Sequence, residues 1–337
     1  IEMKHNQFSE LANNFQVKCR PYLLYDSLLY LKIGNKTILN LNDCGVDSLR
    51  QAEYIHKITG DVDLLLTQFS YAAHIGDPDD AELRKIASKE KLMRIKIQSS
   101  VFNSKYVIPF ASFIRFSHED NIYMNDEVNK IGTVEEFITH ETNSIPVILY
   151  PGDKWVLGEN KENIKAIKLY EKDLTQHFEP FKNSPRIEFQ ELQNYSYVYI
   201  KKIKDMNNWG LIKFFHSISF LKTAKIYLKD LDLSITFDLV HGINKSEFSK
   251  NKSDIITDSD SLAFAFKFDY GADTLLANAR FHKSGGRTMI FFRQFMIGTL
   301  NNNGRTFPFG IIGFLLRERS MWKSLFIEAI LGNYDFE

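Results

Sequence analysis

An apolar run that stops abruptly in Asn, Asp and Cys sets the reading of the first part of this chain: ILNLNDCGVD, residues 38 to 47. Ile38, Leu39 and Leu41 have the side chains of a buried strand. Strands of layered α/β proteins deliver polar, reactive side chains at their carboxyl ends. Asp43 is therefore either a ligand in a cleft or a turn residue capping the helix that follows. The flanks define the order. YLLYDSLLYLKI, residues 22 to 33, reads as β, and Gly34-Asn35 makes a hairpin turn into the strand that carries Asp43. DSLRQAEYIHKITG has helical spacing: Asp47 or Ser48 can cap it, Leu49, Ala52, Ile55 and Ile58 line one face, and Gly60 stops it. DLLLTQF, residues 63 to 69, is the next buried strand, so the order is β-α-β.

Asp79 to Leu92 reads as a charged amphipathic helix, and YVIPFASFIRF, residues 106 to 116, as a strand region in which Pro109 marks an end or a bulge. Thr133 and Glu136 make a capping-box pattern for a short helix, TVEEFITH, and SIPVILYPGDKW is extended up to a turn. A chain of 337 residues favours two packed units. The turn-rich stretch around residues 152 to 165 suggests a first unit over residues 1–155 and a C-terminal α+β unit over 156–337. In the second, a helix from about Lys161 to Glu179 precedes strand candidates at YSYVYIKKI, AKIYLKDLDLSITFDLV and SLAFAFKF. Ile226, Leu228, Leu231, Leu233, Ile235 and Phe237 largely alternate, as a half-buried strand or hairpin should. RERSMWKSLFIEAIL reads as a closing amphipathic helix.

Charge and cysteine content narrow the classes of function. Lys plus Arg and Asp plus Glu are both 42, so no global field draws the molecule onto nucleic acid. No stretch reaches the roughly 20 apolar residues of a membrane-spanning helix, and no membrane partner is expected. Cys19 and Cys44 are the only cysteines. Two thiols supply neither a cysteine-rich zinc site nor an iron–sulfur cluster, and they fit a reduced, cytoplasmic setting.

Three motifs in sequence, DSLLYLKIGNKTILNLNDCGVD, VDLLLTQFSYAAH and YVIPFASFIRFSHEDNIYMND, resemble the later half of the metallo-β-lactamase fold. The likeness is greatest to the branch that contains CMP-N-acetylneuraminate hydroxylase. It spans about residues 20 to 130, with NDC and PFAS its more specific pieces. The resemblance implies an α/β fold, the later half of an αββα sandwich followed by a smaller α+β domain. It implies that Asp43 stands at the mouth of a metal cleft and can bridge two cations, with zinc, iron or manganese as the divalent ion. The activity so implied is metal-dependent hydrolysis of a small polar or sugar-nucleotide-like substrate. His118 in FSHEDN and His74 in SYAAHIGDPDD follow strand ends and can approach that cleft, though each reads equally as a loop histidine.

Two departures qualify the metal reading. The His-x-His-x-Asp-His signature of the family is absent from these residues, and Ala111 stands in PFASF where many relatives carry a histidine. One carboxylate with one imidazole falls short of the three protein ligands of a catalytic metal. Either an upstream segment or a partner chain supplies the histidines, or the chain is a non-catalytic binding or assembly subunit with a degenerate cleft. The hydroxylase's iron–sulfur domain cannot be built from Cys19 and Cys44, so its oxygenase chemistry does not carry over.

The remaining motifs have structural readings. SDIITDSDSL lacks the Asp-x-Asp-x-Asp-Gly spacing of a calcium loop and reads as a solvated turn. HKSGGRT lacks the spacing of a nucleotide loop and reads as a hairpin turn. The region around it resembles a sterol-carrier-like module, which would imply an enclosed apolar ligand, against the plainer reading of a phenylalanine-rich core. No Gly-x-Ser-x-Gly elbow supports serine catalysis, and a carboxylate beside Cys44 makes it a poor nucleophile.

Overall fold

A computed structural model describes residues 7–23, 26–182, 184–319 and 322–323. The chain is a mixed α/β molecule, with two sheets among the described residues. The first sheet runs in sequence order: β1 (Phe8–Ala12), β2 (Phe15–Tyr22), β3 (Asp26–Ile33), β4 (Lys36–Asn42), β5 (Leu64–Gln68), β6 (Tyr106–Phe110) and β7 (Ile145–Pro146). The first four strands pair antiparallel and the last four parallel. The expected hairpin at Gly34-Asn35 pairs Ile33 with Lys36. Tyr22, however, ends β2 and pairs with Asp26 of the antiparallel β3, so residues 22 to 33 are not one strand. Pro109 pairs with Thr67 on one side, and the pairing with β7 ends at Val107 opposite Pro146, so the missing N–H falls where the outer neighbour has already ended.

Parallel neighbours need crossovers. These are α1 (Leu49–Thr59), α2 (Ala81–Val101) and α3 (Ile131–Glu141). Ser48 caps α1 by accepting from the Gln51 N–H at 3.3 Å, and Gly60 ends it at φ +68°. The second crossover helix continues beyond Leu92 because Ile95, Ile97 and Gln98 still face the interior. The third starts at Ile131, whose side chain is buried, so the Thr133–Glu136 capping box is not used. Successive crossovers step the same way, and right-handed connections then place all three helices on one face. There Leu39, Leu41, Leu65 and Val107 meet Ala52, Ile55, Ile95, Val134 and Ile138. Each fully buried leucine contributes roughly 1.5–3 kcal/mol. The alternate residues Ile38, Leu64, Leu66, Tyr106 and Ile108 point to the other face, where Val147, Trp155 and Leu157 pack on them. Helix α4 (Ile164–Thr175) adds Ala166 and Ile167 to the helix-side core.

The second sheet follows α5 (Phe189–Met206) and α6 (Trp209–Ser217). It contains β8 (Ala224–Leu228), β9 (Leu233–Asp238), β10 (Gly242–Lys245), β11 (Ile255–Thr257) and β12 (Phe281–Lys283). The order is β10-β9-β8-β11-β12, with only β8 and β11 parallel. Between and after the last strands lie α7 (Ser259–Lys267), α8 (Gly271–Asn278), α9 (Thr288–Arg293), α10 (Met296–Asn302) and α11 (Phe309–Arg317). Phenylalanine rings fill this core, with Phe237 and Phe266 4.9 Å apart and Phe291 and Phe295 5.1 Å apart.

Two expected strands are helices. YSYVYIKKI lies inside α5, where Leu192, Ser196 and Ile203 are buried at helical spacing and outweigh the β-favouring aromatic alternation. SLAFAFKF lies inside α7: two alanines favour the helix, and Asp230 accepts from the Ser259 N–H at 2.9 Å to hold its first turn. Most of RERSMWKSLFIEAIL lies outside the described residues. Among the described residues no helix is long and apolar enough to cross a membrane.

Candidate functional site

Three parallel strands end side by side and present Asp43 after β4, Gln68 to Ser70 at the end of β5, and Ala111 with Ser112 after β6. Crevices at such carboxyl edges are where open α/β sheets bind ligands. The pairing register shifts between Asn40 and Asn42, and this bulge with Asn42 at φ +52° re-aims the strand end. The Asn42 side-chain amide donates to Asp43 Oδ1 at 2.7 Å, and the Asp43 carboxylate is exposed. No ion-pair partner of Asp43 occurs among the described residues.

A second carboxylate shares this corner. Asp26, half-buried at the start of β3, has its carboxyl pushed up to about 6 by burial and then by the charge of Asp43. Across the edge, α2 brings two cations. Lys91 Nζ donates to Gln68 Oε1 at 2.6 Å, and Arg94 pairs with Asp47. Burial, followed by the Arg94 charge, pushes Lys91 down to about 8, while Asp47 and Asp43 oppose that shift. Burial and then Asp26 and Asp43 raise the Cys44 thiol far above its ordinary range, which keeps it an inert packing group.

The floor of the edge is rigid. Gln98, fully buried on α2, accepts from Thr67 Oγ1 at 2.6 Å and donates to the Val46 carbonyl at 2.9 Å. Ser112 Oγ accepts from the Phe69 and Ser70 N–H groups at 3.2 and 3.0 Å and donates to the Ser70 carbonyl at 3.0 Å. That hydroxyl is a strand-end clamp. Beyond it a cavity of about 210 Å³ is lined by Phe69, Ser112, Phe113, Asn129 and Tyr170, with Phe113 and Tyr170 stacked at 4.0 Å.

The two loop histidines have gone elsewhere. His74 stacks on Phe281 of β12 at 4.3 Å, and its Nε2 lies 3.6 Å from Asp77 Oδ1. Asp77 also accepts from the Lys283 N–H at 3.1 Å and lies 3.5 Å from His282 Nδ1. Burial alone would raise the Asp77 carboxyl, but the contacts from His282, His74 and the Lys283 backbone hold it well below the carboxylate range. His118 Nδ1 accepts from the Asp120 N–H at 3.2 Å, and its Nε2 is 3.4 Å from Ser184 Oγ. Around it Lys229 pairs with Asp120, and Arg280 lies 3.3 Å from Asp258. Burial, then the Arg280 charge, lowers the His118 pKa, so the ring is neutral at pH 7. Two fixed cations beside it disfavour a third. His74 therefore fastens the loop after β5 to α8, where its backbone N–H donates to the Leu276 carbonyl at 2.9 Å, and to β12, whereas His118 rests against Ser184 in the segment that precedes α5.

A divalent ion at a catalytic site takes about three protein ligands. Asp43, His74 and His118 do not converge, and the corner holding Asp43 offers carboxylates, an amide and a lysine but no imidazole among the described residues. That donor set does not by itself fit a resident catalytic metal. The ligating group that does converge among the described residues is His216, Asp238 and His241, with ligand atoms within 4.8 Å of one another. Sequence reasoning missed Asp26, Lys91, Arg94 and Gln98 at the strand edge. The last three recur at i, i+3 and i+7 on one helix face, a signal hidden by the dense charge of that helix.

No protein-family model and no curated protein sequence matches the chain. Among solved structures, a variant of CmlA β-hydroxylase aligns at TM-score 0.29 and 9% identity, over 44% of this chain and 32% of that chain. CmlA from Streptomyces venezuelae, described as a diiron β-hydroxylase, aligns at TM-score 0.28 and 11% identity, over 44% and 33% of the two chains. The match thus spans about a third of those enzymes' length, and no residue role is drawn from it.

Proposed function

We propose that the first sheet with its helices is a metallo-β-lactamase-type unit contributing Asp43 to the cleft of a metal-dependent hydrolase. Its substrate would be small and polar, of the sugar-nucleotide kind, and a partner chain or further segment would complete the ligand set. The observation that carries this reading is the Asp26–Asp43 pair. An exposed carboxylate at a parallel-strand end that, after burial, helps raise the pKa of a second one is a place where a cation relieves repulsion. Packing supports the same reading. One face of the sheet is covered by helices, whereas Leu29, Leu31, Ile38 and Leu66 on the other face are only half-buried, as suits a surface that packs on another sheet. Lys91, held on Gln68, places a positive charge where an anionic substrate group could pair with it. The hydrolytic chemistry itself would belong to the ion and to ligands these residues lack.

The competing reading, a non-catalytic binding or assembly subunit with a degenerate metal cleft, draws support from the engagement of His74 with Phe281 and of His118 with Ser184, away from Asp43. Elemental analysis after loading with zinc, iron(II) or manganese separates the two. A His216→Ala/His241→Ala background removes the other ligating group. Metal retained there and lost on adding Asp43→Ala supports the hydrolase reading; metal content indifferent to Asp43→Ala contradicts it.

A further inference from the structure

The second sheet carries its own ligand cluster at the β9–β10 hairpin, remote in sequence from Asp43. Asp238 ends β9 and is buried, and its Oδ1 accepts from the Val240 and His241 N–H groups at 2.9 and 2.8 Å. Its Oδ2 accepts from Thr223 Oγ1 at 2.8 Å. The carboxylate is thereby fixed in direction. Among the described residues no Lys or Arg pairs with this buried charge; its ionic contact is with His241 Nδ1 at 3.1 Å. His216, near the end of α6, donates from Nδ1 to the Leu221 carbonyl at 3.0 Å, the bond that leaves Nε2 as a lone-pair ligand. The two imidazoles lie 5.1 Å apart between centroids at 67°.

We propose that His216, Asp238 and His241 form a binding site for a borderline divalent cation of the zinc class. Two imidazoles and one carboxylate are the ligand types such ions take. A backbone carbonyl orients one imidazole, and backbone amides with a threonine hydroxyl orient the carboxylate; this is the supporting shell that metal ligands usually have. The cation neutralises a buried carboxylate that otherwise has only a histidine to face. His241 is 61% exposed and also lines a groove of about 590 Å³ with Trp209, Lys204 and Lys213, so the ion is reached from solvent and keeps room for a further small ligand. In the sequence the signal is Asp-x-x-His in FDLVHG; nothing there ties it to His216.

Cobalt(II) titration of the purified chain, followed by visible absorption and calorimetry with zinc as competitor, tests the site. One equivalent dependent on the two histidines is expected to bind with the spectrum of a four- or five-coordinate ion, whatever Asp43 holds. His216→Ala and His241→Ala, both at positions with solvent access, should each weaken affinity by more than about tenfold with unchanged circular dichroism. Asp43→Ala should leave it unaltered. Absence of binding, or equal affinity in wild type and both histidine variants, would overturn the site.

Discussion

Replacing Asp26 by an asparagine should stabilise the protein at pH 7 and leave it unchanged at pH 4. A carboxyl moved from the ordinary 3.8 to about 6 disfavours its own ionisation, by ~3 kcal/mol at 1.36 kcal/mol per pH unit. Because the group is only half-buried, solvent screening reduces this to roughly 1–2 kcal/mol. The sign follows from linkage: with the folded value raised, the unfolded chain releases its proton first, so stability is lost as pH rises from 3.8 to about 6. A neutral amide at this position carries no such loss. Asp43→Asn should recover the smaller part of the same effect, since Asp43 is the second cause after burial. Urea denaturation of wild type and both variants across pH 4 to 8 measures it. If Asp26→Asn shows the same difference from wild type at both ends of that range, burial and the Asp43 charge do not raise the Asp26 carboxyl and the reasoning fails.

Gln98→Leu should destabilise by about 3 kcal/mol, because the Thr67 hydroxyl and Val46 carbonyl lose their partner in a buried place; urea denaturation reads it, and a change below about 1 kcal/mol would contradict the account. His118 has a folded pKa below 6.5, so the folded protein refuses a proton that the unfolded chain accepts. Stability should therefore fall as pH drops from 6.5 toward that lower value, and His118→Asn should remove this part of the pH dependence in thermal melts.

The region around Asp43 was legible because its signals are local. A glycine turn, a Ser48 cap and a period of two in β4 each act over a few residues and agree with one another. Failure came where local and tertiary preferences conflict. YSYVYI alternates like a strand, yet burial of Leu192, Ser196 and Ile203 against the second core makes it a helix. The histidines show a different limit. That His74 and His118 follow strand ends can be read from order, but their direction depends on Phe281 in one case and on Ser184, held by Arg280, in the other, and no spacing encodes that docking. The cluster of His216, Asp238 and His241 is hidden for the same reason, since α6 meets the hairpin only in the folded chain.

Manganese(II) broadening of backbone amide signals tests the role of Asp43 most directly, because it registers even weak occupancy by a cation. The account predicts selective loss of the Asn42 to Cys44 and Gln68 to Ser70 signals in the His216→Ala/His241→Ala background, restored by Asp43→Asn. Broadening that spares these strand ends, or that persists after Asp43→Asn, would contradict it.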